Sequence, residues 1–400
     1  MWVMMQPRPA KIAITTDYMF EGGAEEVTDT LCAAFPDSDV YTSMTDLALL
    51  QRYPHVQKAA QNNRLYSGPV QKLWPLVHRI KGLSAYHLYW LCFMVAPFQR
   101  VKNHDTVIVT CSAQSKLFAL PKSARTIVYF HTPTRWLYPG LMSPADLESI
   151  PWLFRQLIKL FNVVLGPLDR LGIKRLKAAE PVWLCNSRFT KDNIARIYGI
   201  DCEVLYPPVD TGKFQNVTRD PQDFFLYHGR ITFQKRVDVA IKGCLQARKK
   251  LKISGHCADP ALMAHLQSIV SEAEAADPSL KGLITFLGRT SDTELLGLFA
   301  NCKALIFPPR EDFGITPIEA ISAGIPVIAF NEGGALDYIK PRINGCFFEA
   351  QTGDSLARAI ADFDQSDFDP ATIANSLPDM GRDRFQQKFR DLIETQGQQT

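Results

Sequence analysis

The sequence predicts an α/β protein made of two doubly wound domains facing a central cleft, on three observations. Its 400 residues exceed what one hydrophobic core supports. Short apolar runs rich in Val, Ile and aromatic residues alternate with segments long enough for helices, which is the rhythm of βα units on a parallel sheet. That rhythm stops at Tyr206-Pro207-Pro208-Val209-Asp210 and then starts again. Two such sheets bind ligands just beyond the C-terminal ends of their strands, so the residues after each strand carry the functional information.

In the first half, strands are predicted at 11–15, 39–42, 106–110, 125–130 and 181–186, and in the second at 224–228, 250–254, 283–287, 304–307 and 325–330. The segment 234–247 reads as one helix, and Ser291-Asp-Thr-Glu294 as a capping box opening another. Near the end, Phe385, Phe389, Leu392 and Ile393 form one apolar helix face. These elements divide the chain into 1–206, 207–379 and a C-terminal helix in 380–400.

With 46% hydrophobic and 21% charged residues, the chain has the material for packed cores and is not a disordered polymer. The nine cysteines contain no C-x-x-C pair and read as small core residues of a reducing compartment. The N-terminus lacks the basic and apolar regions of an export signal, so the acceptor sequence at Asn216 is expected to stay unglycosylated. The uncharged segment 82–99 contains Ser84, His87, Pro97 and Gln99, and is expected to form a buried or surface-lying helix rather than a membrane span.

Charge is strongly segregated. Residues 47–104 carry eight Lys or Arg and no acid, and 151–179 carry six against Asp169 alone. With Trp74, Trp90, Trp152, Phe154 and Phe161 interleaved, this favours an anionic membrane surface over a nucleic-acid groove; an ordinary solvated basic face is the competing reading.

Four segments after strands carry chemistry. Gly22-Gly23 opens a helix where backbone amides can meet an anion, although its spacing is not that of a dinucleotide fingerprint. His131-Thr-Pro-Thr-Arg135-Trp136 follows an interior strand, which aims His131 at the cleft; a packing role is the competing reading. Gly229-Arg230-x4-Lys235 supplies a residue allowing close approach, a planar fork and a point charge, together a metal-free diphosphate clamp. Arg236 beside them reads as a helix-surface cation. Glu311-Asp-Phe313-Gly314-Ile315-x-Pro-x-Glu319 puts two carboxylates at different heights beside a helix start, suited to sugar hydroxyls.

Taken together, Gly-Arg-x4-Lys, Glu-x7-Glu and the Gly333-Gly334 pair resemble the family-4 retaining glycosyltransferases of the GT-B fold, which has two Rossmann-like domains. Gly-Gly-Ala-Glu, His-Thr-Pro-x-Arg, Asn186-Ser-Arg-Phe189 and Tyr206-Pro-Pro-Val-Asp210 match in the same order. The resemblance implies that Arg230 and Lys235 hold the donor diphosphate beside Gly229. It implies that Glu311 binds the transferred sugar with backbone at Phe313, Gly314 and Ile315, and that Glu319 binds the ribose. Gly22 and Gly23 would approach the phosphate from the N-terminal, acceptor-side domain. His131 would contact the sugar, Arg135 and Trp136 would face the acceptor, and the last helix would cross back to the first domain. No metal or other cofactor is implied.

The segment around His131 is most similar to the branch that uses GDP-mannose to extend lipid-linked polysaccharide units. This implies a polyprenyl-diphosphate-linked acceptor and a peripheral site on the cytoplasmic membrane face. Another donor such as UDP-glucose, a sugar-nucleotide 2-epimerase, and a degenerate membrane-associated binding protein are the alternatives. Three Asp-x-Asp strings, at Asp37/Asp39, Asp362/Asp364 and Asp367/Asp369, follow no interior strand and are read as turn or surface acids.

Overall fold

The computed structural model describes residues 11–74, 91–141, 152–215 and 217–395. Trp90, Asn216 and the first half of 82–99 lie outside them, as do the side chains of Trp152, Phe154 and Phe161. The chain forms two compact units. One contains the described residues up to Pro208 together with the segment from Arg382, and the other contains Val209–Gly381. The sequence had set these divisions at 206/207 and 379/380.

The first unit holds a seven-stranded parallel sheet: β1 (Ile12–Met19), β2 (Asp39–Thr45), β3 (Leu65–Ser67), β4 (Thr106–Cys111), β5 (Arg125–Phe130), β6 (Val182–Cys185) and β7 (Glu203–Val204). Its order is β3-β2-β1-β4-β5-β6-β7. Strands such as β4 and β5 bury nearly every side chain because helices cover both faces, which is why they read as continuous apolar runs. The last helix, Arg382–Glu394, packs in this unit: Phe385 and Phe389 share a core cluster with Ile14, Val27 and Tyr129. Arg125 at the head of β5 donates to the carbonyls of Leu392 and Ile393, satisfying acceptors that a helix end leaves open.

The second unit repeats the plan with β8 (Phe225–His228), β9 (Leu251–Ser254), β10 (Ile284–Gly288), β11 (Leu305–Phe307), β12 (Val327–Phe330) and β13 (Gly345–Phe348), in the order β10-β9-β8-β11-β12-β13. Both sheets therefore reverse their winding next to their first strand, between β1 and β4 and between β8 and β11. The crevice at such a switch point is the ligand position of this architecture.

Three strands were not predicted. β3 and β7 are edge pieces of three and two residues, and β13 opens at Gly345. A Cβ on Gly345 would stand 2.2 Å from the carbonyl oxygen of Val327, so only glycine lets the two strands pair there. The helix expected over 234–247 is broken. A single 3-10 turn, Phe233–Lys235, is separated from the helix Val237–Gln246 by Arg236 in the left-handed region, at φ 51°. Arg236 is held there by Asp238 and Gln351, so it is a pinned corner rather than the helix-surface cation expected.

Candidate functional site

In the second unit, the predicted residues gather around the β8/β11 switch point. Gly229 follows β8 at φ 145°, and Arg230 beyond it is exposed. The 3-10 turn ends in Lys235, and the break at Arg236 places this lysine on a turn rather than on a helix flank. Across the crevice, β11 runs into Pro308–Gly314, which carries Glu311. The Lys235 ammonium donates to the Glu311 carboxylate, with both side chains about a quarter exposed or less, at 26% and 20%. A cation from the β8 loop and an anion from the β11 loop thus meet at the mouth of the crevice.

The Glu311 loop is anchored from beneath. Gly314, at φ 89°, is the N-cap of the helix Ile315–Ser322, and the buried Tyr338 hydroxyl donates to the carbonyls of Phe313 and Gly314 at 2.8 and 3.1 Å. With these carbonyls turned inward, the helix start offers its amide end to an anion. A Cβ on Gly334 would lie 2.2 Å from the carbonyl of Asp312, so the Gly333-Gly334 pair lets the loop settle at this depth. Glu319 is the fifth residue of the same helix and is half-buried.

The switch point of the first unit is filled by the protein itself. The Asp17 carboxylate on β1 accepts from the amides of Ser112, Ala113 and Ser115 at 2.6, 2.8 and 2.6 Å, all from the loop after β4. Backbone amides in such a nest would otherwise suit a phosphate. The equivalent crevices therefore differ: a carboxylate of the chain closes one, and a cation and a sugar-suited acid line the other. Asp17 was not singled out in the sequence, because the strand was expected to end before it.

Gly22 and Gly23 stand at the start of the helix Gly23–Ala34, with the Gly22 amide donating to the Tyr53 hydroxyl at 3.2 Å. His131, just past β5, is buried, and its carbonyl is held by Asn186 at 2.8 Å. Its Nε2 is a buried atom with no hydrogen-bond partner within the protein. Burial lowers the imidazole from 6.5 to about 4, so it is neutral at physiological pH. A neutral ring with an open nitrogen can donate to or accept from a hydroxyl. Trp136 packs edge-on against Phe93 with centroids 5.2 Å apart, and Arg135 is half-buried beside it.

A fully buried ion pair fixes this loop. Lys116 and Asp169, each with no exposed side-chain surface, lie 2.7 Å apart. Lys116 donates to Thr134 at 2.5 Å, Thr134 to Asp169 at 2.8 Å, and Tyr138 to the other Asp169 oxygen at 2.7 Å. Burial penalises the ammonium, but Asp169 together with Cys111 and Asp17 outweighs it and holds Lys116 above its ordinary value. Asp169 is the lone acid of the 151–179 stretch, and its partner is reachable only through the fold.

The depressed His131 value has a consequence for stability. The unfolded chain takes up the proton near pH 6.5 and the folded chain near 4. Stability is therefore full above about pH 7 and falls as pH drops through this window, by on the order of 3 kcal/mol at most. His228 in the second unit is also lowered to about 4 by burial and adds in the same direction. His131→Gln should flatten the fall in urea midpoint between pH 6.5 and 4 relative to wild type. An unchanged slope would show that this imidazole does not titrate as its burial requires.

Four acids of the Asp-x-Asp strings have structural partners among the described residues. Asp364 and Asp369 accept from the amides of Ser366 and Thr372 as helix caps, while Asp37 meets Arg64 and Asp39 meets His104. No group of three or more His, Cys, Asp or Glu side chains among the described residues is placed to hold a metal ion. All nine cysteines are free thiols, seven of them buried.

Comparison with known proteins gives the features of the second unit a family match. Residues 209–374 match the family described as glycosyl transferases group 1. The alpha-1,3/1,6-mannosyltransferase ALG2 of Homo sapiens is 28% identical over 311 residues, covering 70% of this chain and 69% of that one. The O-antigen chain mannosyltransferase RfbU of Salmonella typhimurium is 31% identical over 186 residues, covering 44% of this chain and 50% of its own. Anabaena HepE, solved in complex with UDP and glucose, superposes with a TM-score of 0.61 at 16% identity, over 97% of this chain and 100% of that one. At that identity the likeness speaks for the fold. The chain is a glycosyltransferase with the GT-B fold, and its second unit carries the group 1 family match. No described helix is long and apolar enough to cross a membrane.

Proposed function

We propose that the chain transfers mannose from GDP-mannose, with retention of configuration, to a sugar on a polyprenyl-diphosphate carrier at the cytoplasmic face of a membrane. The observation carrying the reading is the Lys235–Glu311 pair across the open switch point, with the equivalent crevice of the first unit closed by Asp17. The second unit is therefore assigned the donor. A diphosphate arriving there takes Lys235 and Arg230 as counterions, which releases Glu311 to accept from hydroxyls of the sugar. The helix start at Gly314 and Ile315 adds partial positive charge toward the leaving diphosphate. Glu319 on the same helix is assigned the ribose. In the first unit, neutral His131 is assigned a sugar hydroxyl, and Arg135 and Trp136 the acceptor. Mannose as the transferred sugar is supported by the mannosyltransferase names of relatives in two kingdoms.

Because this clamp consists of side-chain cations and a helix end, activity is expected to survive EDTA. An absolute requirement that added Mn²⁺ restores would contradict the clamp. The reading as a whole is tested by thermal shift with a panel of nucleotide sugars. GDP-mannose should raise the midpoint most, by an amount that grows with concentration as RT ln(1 + [L]/Kd). A larger shift from UDP-glucose would reassign the donor.

A further inference from the structure

The first unit contains a cavity of about 730 Å³ at the opposite end of its sheet from His131. Thr126, the second residue of β5, lines it, whereas His131 follows the last. At about 3.3 Å per residue the two are separated by roughly 17 Å, with Lys116, which also lines the cavity, reaching Thr134 in the loop after His131. Its walls are largely apolar, from Pro97, Phe98, Phe118 and Leu120, with the exposed Arg100, Lys122 and Arg175 and the buried Lys116 also lining it; among the described residues no acid does. Phe98 is 80% exposed, an unusual position for a phenyl ring in the absence of a partner.

The helix Trp152–Lys177 leads into this cavity. It buries Leu165, Asp169, Ile173 and Leu176, while Leu160, Val163, Val164 and Leu171 are 66%, 71%, 57% and 39% exposed. At 100° per residue these four apolar side chains fall within about 60° of Leu160, and so does Arg175 of the cavity lining. An exposed apolar stripe thus ends in a cationic, apolar-walled recess. Among the described residues of the first unit, all eight exposed large apolar side chains lie in the two basic stretches, 47–104 and 151–179. Trp74, by contrast, is half-buried against Phe20.

We infer that this recess binds the phosphate headgroup of an anionic bilayer lipid, with the helix stripe and Phe98 lying in the headgroup–acyl boundary. Arg100, Lys122 and Arg175 supply charge complementary to the phosphate, and the apolar walls take the glycerol and upper acyl carbons. The inference rests on the membrane-surface part of the proposed function and gives it a site.

The test is sedimentation of the full chain with vesicles of phosphatidylcholine alone or of equal parts phosphatidylcholine and phosphatidylglycerol. Wild type should bind the anionic vesicles preferentially, and Arg100→Ser with Lys122→Ser should weaken that binding at least tenfold. Phe98→Ser should weaken binding to both vesicles, while the exposed Lys72→Ser, which does not line the recess, should change it by less than threefold. These positions are exposed, so unchanged thermal midpoints serve as the folding control. If wild type prefers anionic vesicles but the double variant binds equally well, the membrane reading stands and the recess is overturned. If wild type binds neither vesicle, both fall. Dihexanoyl phosphatidylglycerol below its micelle concentration should raise the midpoint of wild type and not of the double variant. An equal rise with inorganic phosphate would make the recess a phosphate site and overturn the lipid assignment.

Discussion

Alanine at Lys235 is expected to lower turnover by about 10²- to 10³-fold while the protein stays folded. Lys235 is a quarter exposed and its structural contact among those described is with Glu311, itself partly solvated, so its loss strands no deeply buried charge. What is lost appears in the transition state, when negative charge builds on the departing diphosphate and one of its two side-chain counterions is missing. Because that interaction strengthens as the sugar departs, the defect should fall on kcat more than on KM. Soluble variant retaining activity within about threefold of wild type would reduce Lys235 to the partner of Glu311 alone.

The largest expected effect on stability lies at Lys116. Lys116→Ala leaves Asp169 with no exposed surface and without its cation, retaining Thr134 and Tyr138 as donors. Breaking a buried pair in this way costs about 3 to 5 kcal/mol. Replacing both partners with apolar residues of similar volume, Lys116→Met with Asp169→Leu, should recover most of that loss, because no charge then remains to be desolvated. Chemical unfolding followed by fluorescence measures both variants. The double variant should also show lower activity than its stability predicts, since the pair fixes Thr134 in the loop bearing His131, Arg135 and Trp136. A loss below about 1 kcal/mol in Lys116→Ala would mean that the pair is not desolvated as its burial indicates.

The strands were legible because parallel strands covered on both faces must be apolar throughout, as β4 and β5 are. β3 and β7 were not, since two or three residues at a half-exposed edge carry no such constraint. The residues after the strands stood out as candidates because glutamate in a proline-rich loop, or arginine after glycine, has no packing purpose. What escaped was everything decided by a distant partner. Asp169 was visible as the one acid in a basic stretch, but not its pairing with Lys116, fifty-three positions away. The left-handed corner at Arg236 depends on Gln351 from another element. Tyr338, which ties down the Glu311 loop, carries no local signal of that role. Asp17, which closes the first crevice, lay inside what was expected to be a loop.

The most direct test is transfer itself. The full chain is incubated with GDP-mannose labelled in the sugar and a polyprenyl-diphosphate-linked acceptor, and label in the organic phase is counted with and without Lys235→Ala. The account predicts acceptor-dependent transfer of mannose by wild type, insensitive to EDTA and reduced about 10²-fold or more by the substitution. Transfer that is equal in wild type and Lys235→Ala, or that proceeds from UDP-glucose and not from GDP-mannose, would contradict it.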